Sequence, residues 1–324
     1  MDARTRAQYT DPVRCRVAQA VGVAPDQLVD LGGFESFVHE AVVEGRPRIV
    51  KATWGGRRTP EEMGAELHFV SHVADHGAPV ARPLPLASGE LLATVASADG
   101  AFHVTSWEKA PGRCLRPDEL SPDVLQRWGA LIGQLHRLAT SYPGPPAPCA
   151  RSTWEAQSAA YAELAREDEV VLAALQLLVE RISALPRDAG SFGPMHTDPH
   201  QGNIFWHEGR PTLFDFEDML DFWFVSDMAI VLYYAVMSIQ DPDERQARFE
   251  AHRRDLWSGY ETEHHLPEAM RGALGLFLDL REQELRAVVS RSIDPADRSP
   301  DLVRFMEDAT RRIRNGQPAL GLRV

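Results

Sequence analysis

The sequence predicts an α+β chain in two lobes, a β-rich N-lobe over residues 1–108 and a mainly helical C-lobe over 109–324. Between residues 28 and 107 the apolar residues fall in short runs broken by Gly-containing turns; from 121 to 314 they mostly recur at helical spacing. A length of 324 residues is long for one core and comfortable for two. Hydrophobic residues at 44% with charged ones at 25% describe a water-soluble globular chain rather than a disordered or membrane one.

The elements follow in order. PVRCRVAQAVG, 12–22, reads as a short helix with Asp11 as cap and Pro12 in its first turn. LVDLGGFESFVHEAVVEGRPRIVKATW, 28–54, reads as strands around a turn at Gly33 and a hairpin with Glu44-Gly45 at its tip. PEEMGAELHFVSHVADHG, 60–77, begins with Pro and acids, ends in Gly, and places Met63, Leu67, Val70 and Val73 on one helical face. LLATVAS and AFHVTSW form a second hairpin about Ala98-Asp99-Gly100. After the connector KAPGR, 109–113, a helix over 121–139 is capped by Ser121 with Pro122 behind it. YPGPPAP, 142–148, is a loop, and 153–185 is helical. NIFW and PTLFDF then flank a Glu208-Gly209 turn, and from Phe222 the chain reads as helix to Arg314 with a surface loop at Asp294–Pro300.

Composition excludes several function classes. A net charge of -13 argues against nucleic acid as the partner, because phosphate backbones need a clustered cationic face. Cys15, Cys114 and Cys149 are odd in number and lack disulfide or zinc spacing, which points to a reducing compartment. The charged N-terminus lacks a signal-peptide core and no apolar run approaches the ~20 residues that span a bilayer. A cytoplasmic protein without a membrane partner is expected, and a monomer and a homodimer are both compatible with the sequence. Lys51 and Lys109 are the only lysines, so a solitary Lys51 within the apolar strand RIVKATW draws attention.

The densest polar segment is HTDPHQGN, His196–Asn203, with LFDFED, 213–218, soon after. Phosphoryl transfer from ATP requires a carboxylate to orient the acceptor hydroxyl, groups to hold Mg²⁺, a Lys on the phosphates and an acid to aim that Lys. A kinase catalytic loop sets Asn five residues after the catalytic Asp, the spacing of Asp198 and Asn203. Asp215 supplies the second metal-binding carboxylate, Lys51 the phosphate ligand, and Glu66, deep in its helix, the acid. Glu61 and Glu62 are better read as first-turn acids favoured by the helix dipole. Gly32, Gly33 and Ser36 either bring backbone amides and a hydroxyl to the phosphates or form a plain hairpin turn. Glu108 and Ala110 offer connector backbone to adenine. The competing reading is a zinc hydrolase using His196, Asp198 and His200, which leaves Asn203, Asp215 and Lys51 unexplained.

These residues resemble the aminoglycoside phosphotransferase (choline kinase-like) superfamily, which shares the protein-kinase fold. Its loop H-G-D-x-H-x-x-N is matched at His196, Asp198, His200 and Asn203, with Thr197 in place of Gly. Its D-x-D/E metal motif is matched by Asp215 and Glu217, its L-H-R/x-L helix end by QLHRLA, and its bracing helix Asp by Asp227. The likeness covers about residues 28–240, and GGFESFVHE and FDFEDMLDFWFVSDMAI are nearest to bacterial phosphotransferases of uncharacterised substrate. The resemblance implies a bilobal protein-kinase-like fold and a kinase using ATP and Mg²⁺, with Asp198 catalytic, Asn203 and Asp215 on the metal, and His196 and Asp227 as support. It implies an acceptor held by the C-lobe, with Trp154, Tyr161, Glu217, Asp218, Asp221 and Trp223 as lining residues. Acidic and aromatic groups suit an amine-bearing alcohol. The acceptor is then a small-molecule hydroxyl (amino alcohol, hydroxy amino acid, sugar or antibiotic), with a stress-response-type protein kinase as the alternative.

Overall fold

The computed structural model describes residues 3–33, 35–166 and 168–324. Its backbone contacts divide the chain into two compact units. The first comprises everything up to Pro111 together with Tyr142–Arg151 and Thr212–Glu217; the second holds the remainder. The two inserted segments lie far beyond residue 108 in sequence, so the units are not two consecutive stretches of chain.

In the first unit, α1 (Ala3–Gln8) and α2 (Asp11–Val21) precede an antiparallel sheet. Its strands are β1 (Val29–Gly32), β2 (Phe37–Val43), β3 (Arg46–Trp54), β4 (Pro83–Leu84), β5 (Leu92–Ser97) and β6 (Gly100–Glu108). They run in the order β1-β2-β3-β6-β4, with β5 also on β6. The β2–β3 turn has Glu44 at φ 52° and Gly45 at φ 76°, the left-handed pair whose twist matches that of the flanking strands. Val13, Val17 and Val21 of α2 pack with Val50, Phe102 and Val104 as one core. Side chains alternate along a strand, so burial of Val50 and Ala52 sends the intervening Lys51 to the opposite face. The cap of α2 is Thr10, with Asp11 already helical, one residue from the sequence expectation.

Helix α3 (Pro60–Asp75) begins in a reciprocal cap: Thr59 Oγ1 accepts from Glu62 N–H, and Glu62 Oε2 accepts from Thr59 N–H at 2.9 Å. Met63, Leu67, Val70 and Val73 are buried as their spacing predicts, and Glu66 is buried among them.

The second unit is built of α4 (Pro122–Thr140), α5 (Trp154–Ala165), α6 (Glu169–Ser183), α7 (Val225–Val236), α8 (Pro242–Tyr260), α9 (Glu268–Arg271), α10 (Leu274–Ser292) and α11 (Pro300–Arg314). The helical stretch expected over 153–185 is realised as α5 and α6, and Asp168 caps the second by accepting from Val171 N–H. Helices α4 and α8 approach so closely that a Cβ on Gly259 would lie 1.8 Å from the Gln126 carbonyl oxygen. Helix α7 is apolar nearly all round and buried nearly all round, as a central helix must be. Two strands were not expected: β7 (Phe192–Met195) pairs antiparallel with β10 (Leu220–Trp223), Met195 opposite Leu220. Four residues are too few for a legible alternation, and Phe222 falls in a strand where the sequence suggested helix. Strands β8 (Ile204–His207) and β9 (Arg210–Leu213) form the expected hairpin. Among the described residues no helix is long and apolar enough to cross a membrane.

Candidate functional site

Lys51, only 13% exposed, directs its ammonium into carboxylates of the first unit. It forms ion pairs with Asp215 and with Glu217, the latter at 3.1 Å. Burial works against the charge, but Asp215, Glu217 and Glu66 together hold the ammonium protonated far above its ordinary range. Glu66 is not the direct partner that the sequence suggested. It acts on Lys51 through charge alone, and burial pushes its carboxyl up to about 7 against the pull of Arg151 and Lys51. Glu217 belongs to this cluster rather than to a substrate wall: although burial opposes ionisation, Lys51 and Arg57 hold its carboxyl below the usual range. Arg57 pairs with Glu35 and lies 3.6 Å from Glu217. Arg151 donates to the Glu217 carbonyl at 2.5 Å and to the Glu62 carbonyl at 3.2 Å, tying segment 142–151 to segment 212–217. Asp215 reaches its partners from a left-handed backbone, φ 69°.

The glycine turn is more specific than a generic hairpin. Gly32 has φ 76° and donates its N–H to Asp30 Oδ1 at 2.9 Å. A Cβ at Gly33 would stand 2.0 Å from the Ser36 carbonyl oxygen, so only glycine fits. Phe34, within this turn, lies outside the described residues. The expectation of a Ser36 hydroxyl aimed at phosphate is corrected: it is buried and bonded to Thr53 Oγ1 at 2.9 Å, a tie between β2 and β3. Glu108 N–H is taken by the Arg82 carbonyl at 2.8 Å and Ala110 is buried, which narrows the backbone groups a base could use there.

In the second unit the HTDPHQGN segment folds on itself. His196 is buried and its Nδ1 accepts from Asp198 N–H at 3.2 Å. Thr197 sits at φ 67°, which explains why the resembling family uses Gly here. Its hydroxyl lies 2.7 Å from both the His196 and the Asp218 carbonyl oxygens and shares one proton between them. Its N–H donates to Asp227 Oδ1 at 2.9 Å. Asp227 Oδ2 accepts from His136 Nε2 at 3.1 Å, and His136 Nδ1 faces the Tyr260 hydroxyl at 2.9 Å. Asp227 thereby anchors the loop to α4 and α8, and His136 is a fully bonded core histidine. Asn203 Nδ2 donates to the Asp198 carbonyl at 2.9 Å, closing the five-residue arc with its amide oxygen outside that bond.

His200 Nδ1 accepts from Gly202 N–H at 2.8 Å, while Nε2 lies 3.4 Å from Asp198 Oδ2. The imidazoles serve the loop itself. Among the described residues no three His, Cys, Asp or Glu side chains converge as a metal site, so the zinc set His196–Asp198–His200 does not assemble.

Asp198 has a partner that sequence reasoning missed. Arg281 Nη2, from α10, donates to Asp198 Oδ1 at 2.6 Å and also to the Tyr234 hydroxyl at 2.7 Å. Burial opposes ionisation of Asp198, but Arg281 and then His200 outweigh it and hold the carboxyl below its ordinary value. Nothing in the α10 sequence singles out Arg281, which lies 83 residues from Asp198. Tyr161 accepts from Gln157 Nε2 at 2.7 Å and lies in electrostatic range of Glu284 and Arg281.

The remaining lining expectations separate. Asp221 is exposed and Asp218 half-buried. Trp154 and Trp223 are corrected to core residues, since both are buried and their indole N–H groups are bonded to Ser183 Oγ and the Pro186 carbonyl. Large aromatic residues beside a polar loop are as useful to its foundations as to its ligand. The Asn203 amide oxygen and the Asp215 carboxylate are hard oxygen donors, the chemistry that suits Mg²⁺.

A model described as a phosphotransferase enzyme family matches residues 31–266. Amicoumacin kinase of Bacillus subtilis (strain 168) is 28% identical over 314 residues, 96% of this chain and 94% of its own. The structure of amicoumacin kinase hAmiN in complex with AMP-PNP, Ca²⁺ and Ami superposes with a TM-score of 0.89 at 26% identity, covering 98% of this chain and 97% of that one. A microcompartment-associated aminopropanol kinase shares the fold with a TM-score of 0.74 at 20% identity, covering 97% and 99%.

Proposed function

The chain belongs to the phosphotransferase enzyme family, a kinase-like fold with a β-rich N-terminal part and a helical C-terminal part, and we propose that it moves the γ-phosphate of ATP to a hydroxyl of an amine-bearing small molecule. The observation that carries this reading is the loop in which Asp198 is held anionic beside Arg281 while Asn203, five residues on, is tied to its carbonyl. An anionic, well-fixed carboxylate is what an acceptor hydroxyl needs for alignment, and phosphoryl transfer asks for position more than for a strong base.

Asp198 accepts the hydrogen bond of the acceptor hydroxyl and directs its oxygen at the γ-phosphorus. The new O–P bond forms as the bond to the β-phosphate oxygen breaks, ADP leaves, and the hydroxyl proton passes to Asp198 and on to solvent. Lys51 binds phosphate oxygens, exchanging carboxylate contact for phosphate contact, and the burial that removes water strengthens this attraction. Glu66 adds its charge to the field around the ammonium when ionised. The turn at Gly32 and Gly33 lets backbone approach the phosphates. Asn203 and Asp215 are the oxygen donors that would hold a divalent ion such as Mg²⁺, which would neutralise charge on the phosphate oxygens.

Two relatives bear the names amicoumacin kinase and aminopropanol kinase, and the second names an amine-bearing alcohol. Asp218, half-buried and in electrostatic range of Tyr161, supplies a carboxylate suited to an ammonium group in the unit that carries Asp198. Amicoumacin is therefore the first acceptor to test. The experiment follows ADP release with ATP and Mg²⁺ against amicoumacin, 1-amino-2-propanol and other amino alcohols. At least one gives turnover above the acceptor-free rate, and Asp198→Ala lowers kcat by about 10²–10⁴-fold while ATP still binds. Near-wild-type turnover by Asp198→Ala overturns the reading.

A further inference from the structure

Arg281 reaches Asp198 from a helix with no recognisable motif, and its surroundings are built with unusual care for one side chain. It is 13% exposed. The same Nη2 donates to Asp198 Oδ1 at 2.6 Å and to the Tyr234 hydroxyl at 2.7 Å, so both of its protons are committed. Nη1 faces Glu284 Oε2 at 3.6 Å, one helical turn along α10. The Tyr234 ring lies under the guanidinium, 5.1 Å from its centroid, and the His200 ring packs on Tyr234 at 4.8 Å. The planar guanidinium is thus fixed on several sides, and a charge-assisted bond to one carboxylate oxygen fixes the rotation of that carboxylate.

From this geometry we infer that Arg281 is a positioning residue for phosphoryl transfer: it clamps Asp198 by Oδ1 and leaves Oδ2 to receive the acceptor hydroxyl. The inference rests on the role given to Asp198 under Proposed function. It assigns Tyr234 and Glu284 to the same device, since they hold the guanidinium in place. Oδ2 has His200 Nε2 at 3.4 Å, too far for a strong bond. Loss of the clamp lets the carboxylate rotate, and a misalignment of about 1 Å costs on the order of 10²-fold in rate. Arginine suits this role because its charge is permanent and its fork rigid; lysine keeps the charge and loses the fork.

The test measures ADP release with two acceptors, amicoumacin and water, the latter being available whatever the natural substrate is. Arg281→Gln is expected to lower kcat by about 10–100-fold in both assays while KM for ATP stays within about twofold. Arg281→Lys recovers part of the loss. Tyr234→Phe, which removes one anchor and keeps the ring, gives a smaller fall of about two- to fivefold, and it tests the clamp even if Arg281→Gln folds poorly. In an Asp198→Asn background, followed by its residual ADP release, Arg281→Gln has no further effect, because a residue acting through Asp198 has nothing left to act on. Wild-type kcat in folded Arg281→Gln or Arg281→Lys, or full additivity with Asp198→Asn, overturns the inference. Wild-type turnover by Asp198→Asn alone overturns instead the role of Asp198, so the two failures are distinguishable.

Discussion

Thr197 is a β-branched residue in a left-handed backbone, φ 67°, a conformation that costs non-glycine residues about 1–2 kcal/mol. Its hydroxyl, shared between the His196 and Asp218 carbonyls, offsets part of that cost. The two contributions can be separated by substitution. Thr197→Ala keeps the strain and loses the hydroxyl, whereas Thr197→Gly loses both and gains unfolded-state entropy. Thr197→Gly is expected to exceed Thr197→Ala in stability by about 1 kcal/mol in urea denaturation. Equal stabilities show that the backbone is not under strain at this position. Lys51 teaches a different lesson at the same scale. It stood out as a candidate from its rarity and strand position, but its direct partners were not legible, because a long flexible side chain chooses among carboxylates that only the fold gathers.

At the scale of elements, the segment 196–203 is fastened by the first turn of α7. Asp227 accepts from two buried donors, Thr197 N–H and His136 Nε2–H, at 2.9 and 3.1 Å. An asparagine has one amide oxygen for those two donors and directs an N–H at one of them. Asp227→Asn is expected to cost about 1–3 kcal/mol in unfolding free energy and to lower kcat about tenfold as the loop loosens. Unfolding and steady-state turnover on the same preparation check both. Unchanged turnover despite the stability loss means that Asp227 is a core residue without influence on the loop. The β7–β10 pair flanks this fastening, and it escaped the sequence because strands of four residues show too few alternations to be told from helix. The hairpins at Glu44-Gly45 and Glu208-Gly209 were legible because their turns demand specific residues.

For the molecule as a whole, buried ionisable groups set how stability depends on pH. Burial pushes Glu66 and Glu284 up to about 7 and Asp279 up to about 6. The folded chain therefore binds more protons than the unfolded chain in that range, and stability rises as pH falls through about 7. His252 works the other way: burial holds it down at about 4, so below its ordinary 6.5 the unfolded chain takes up a proton that the folded one refuses. Three raised carboxyls outnumber the one lowered imidazole, so the ligand-free protein is expected to have a higher thermal midpoint at pH 6.5 than at pH 8. Glu66→Gln reduces the difference between pH 8 and 6.5. A midpoint that falls from pH 8 to 6.5 contradicts these assignments. The sequence by itself determined the α+β plan and singled out Lys51, Asp198, Asn203 and Asp215 as candidates, because these rest on local turn chemistry, side-chain period and the fixed spacing of a short loop. Tertiary structure decided that Lys51 meets Asp215 and Glu217, that Ser36, Trp154 and Trp223 belong to the framework, and that Arg281 holds Asp198. Those facts depend on which side chains distant segments bring together, and spacing along the chain carries no record of it.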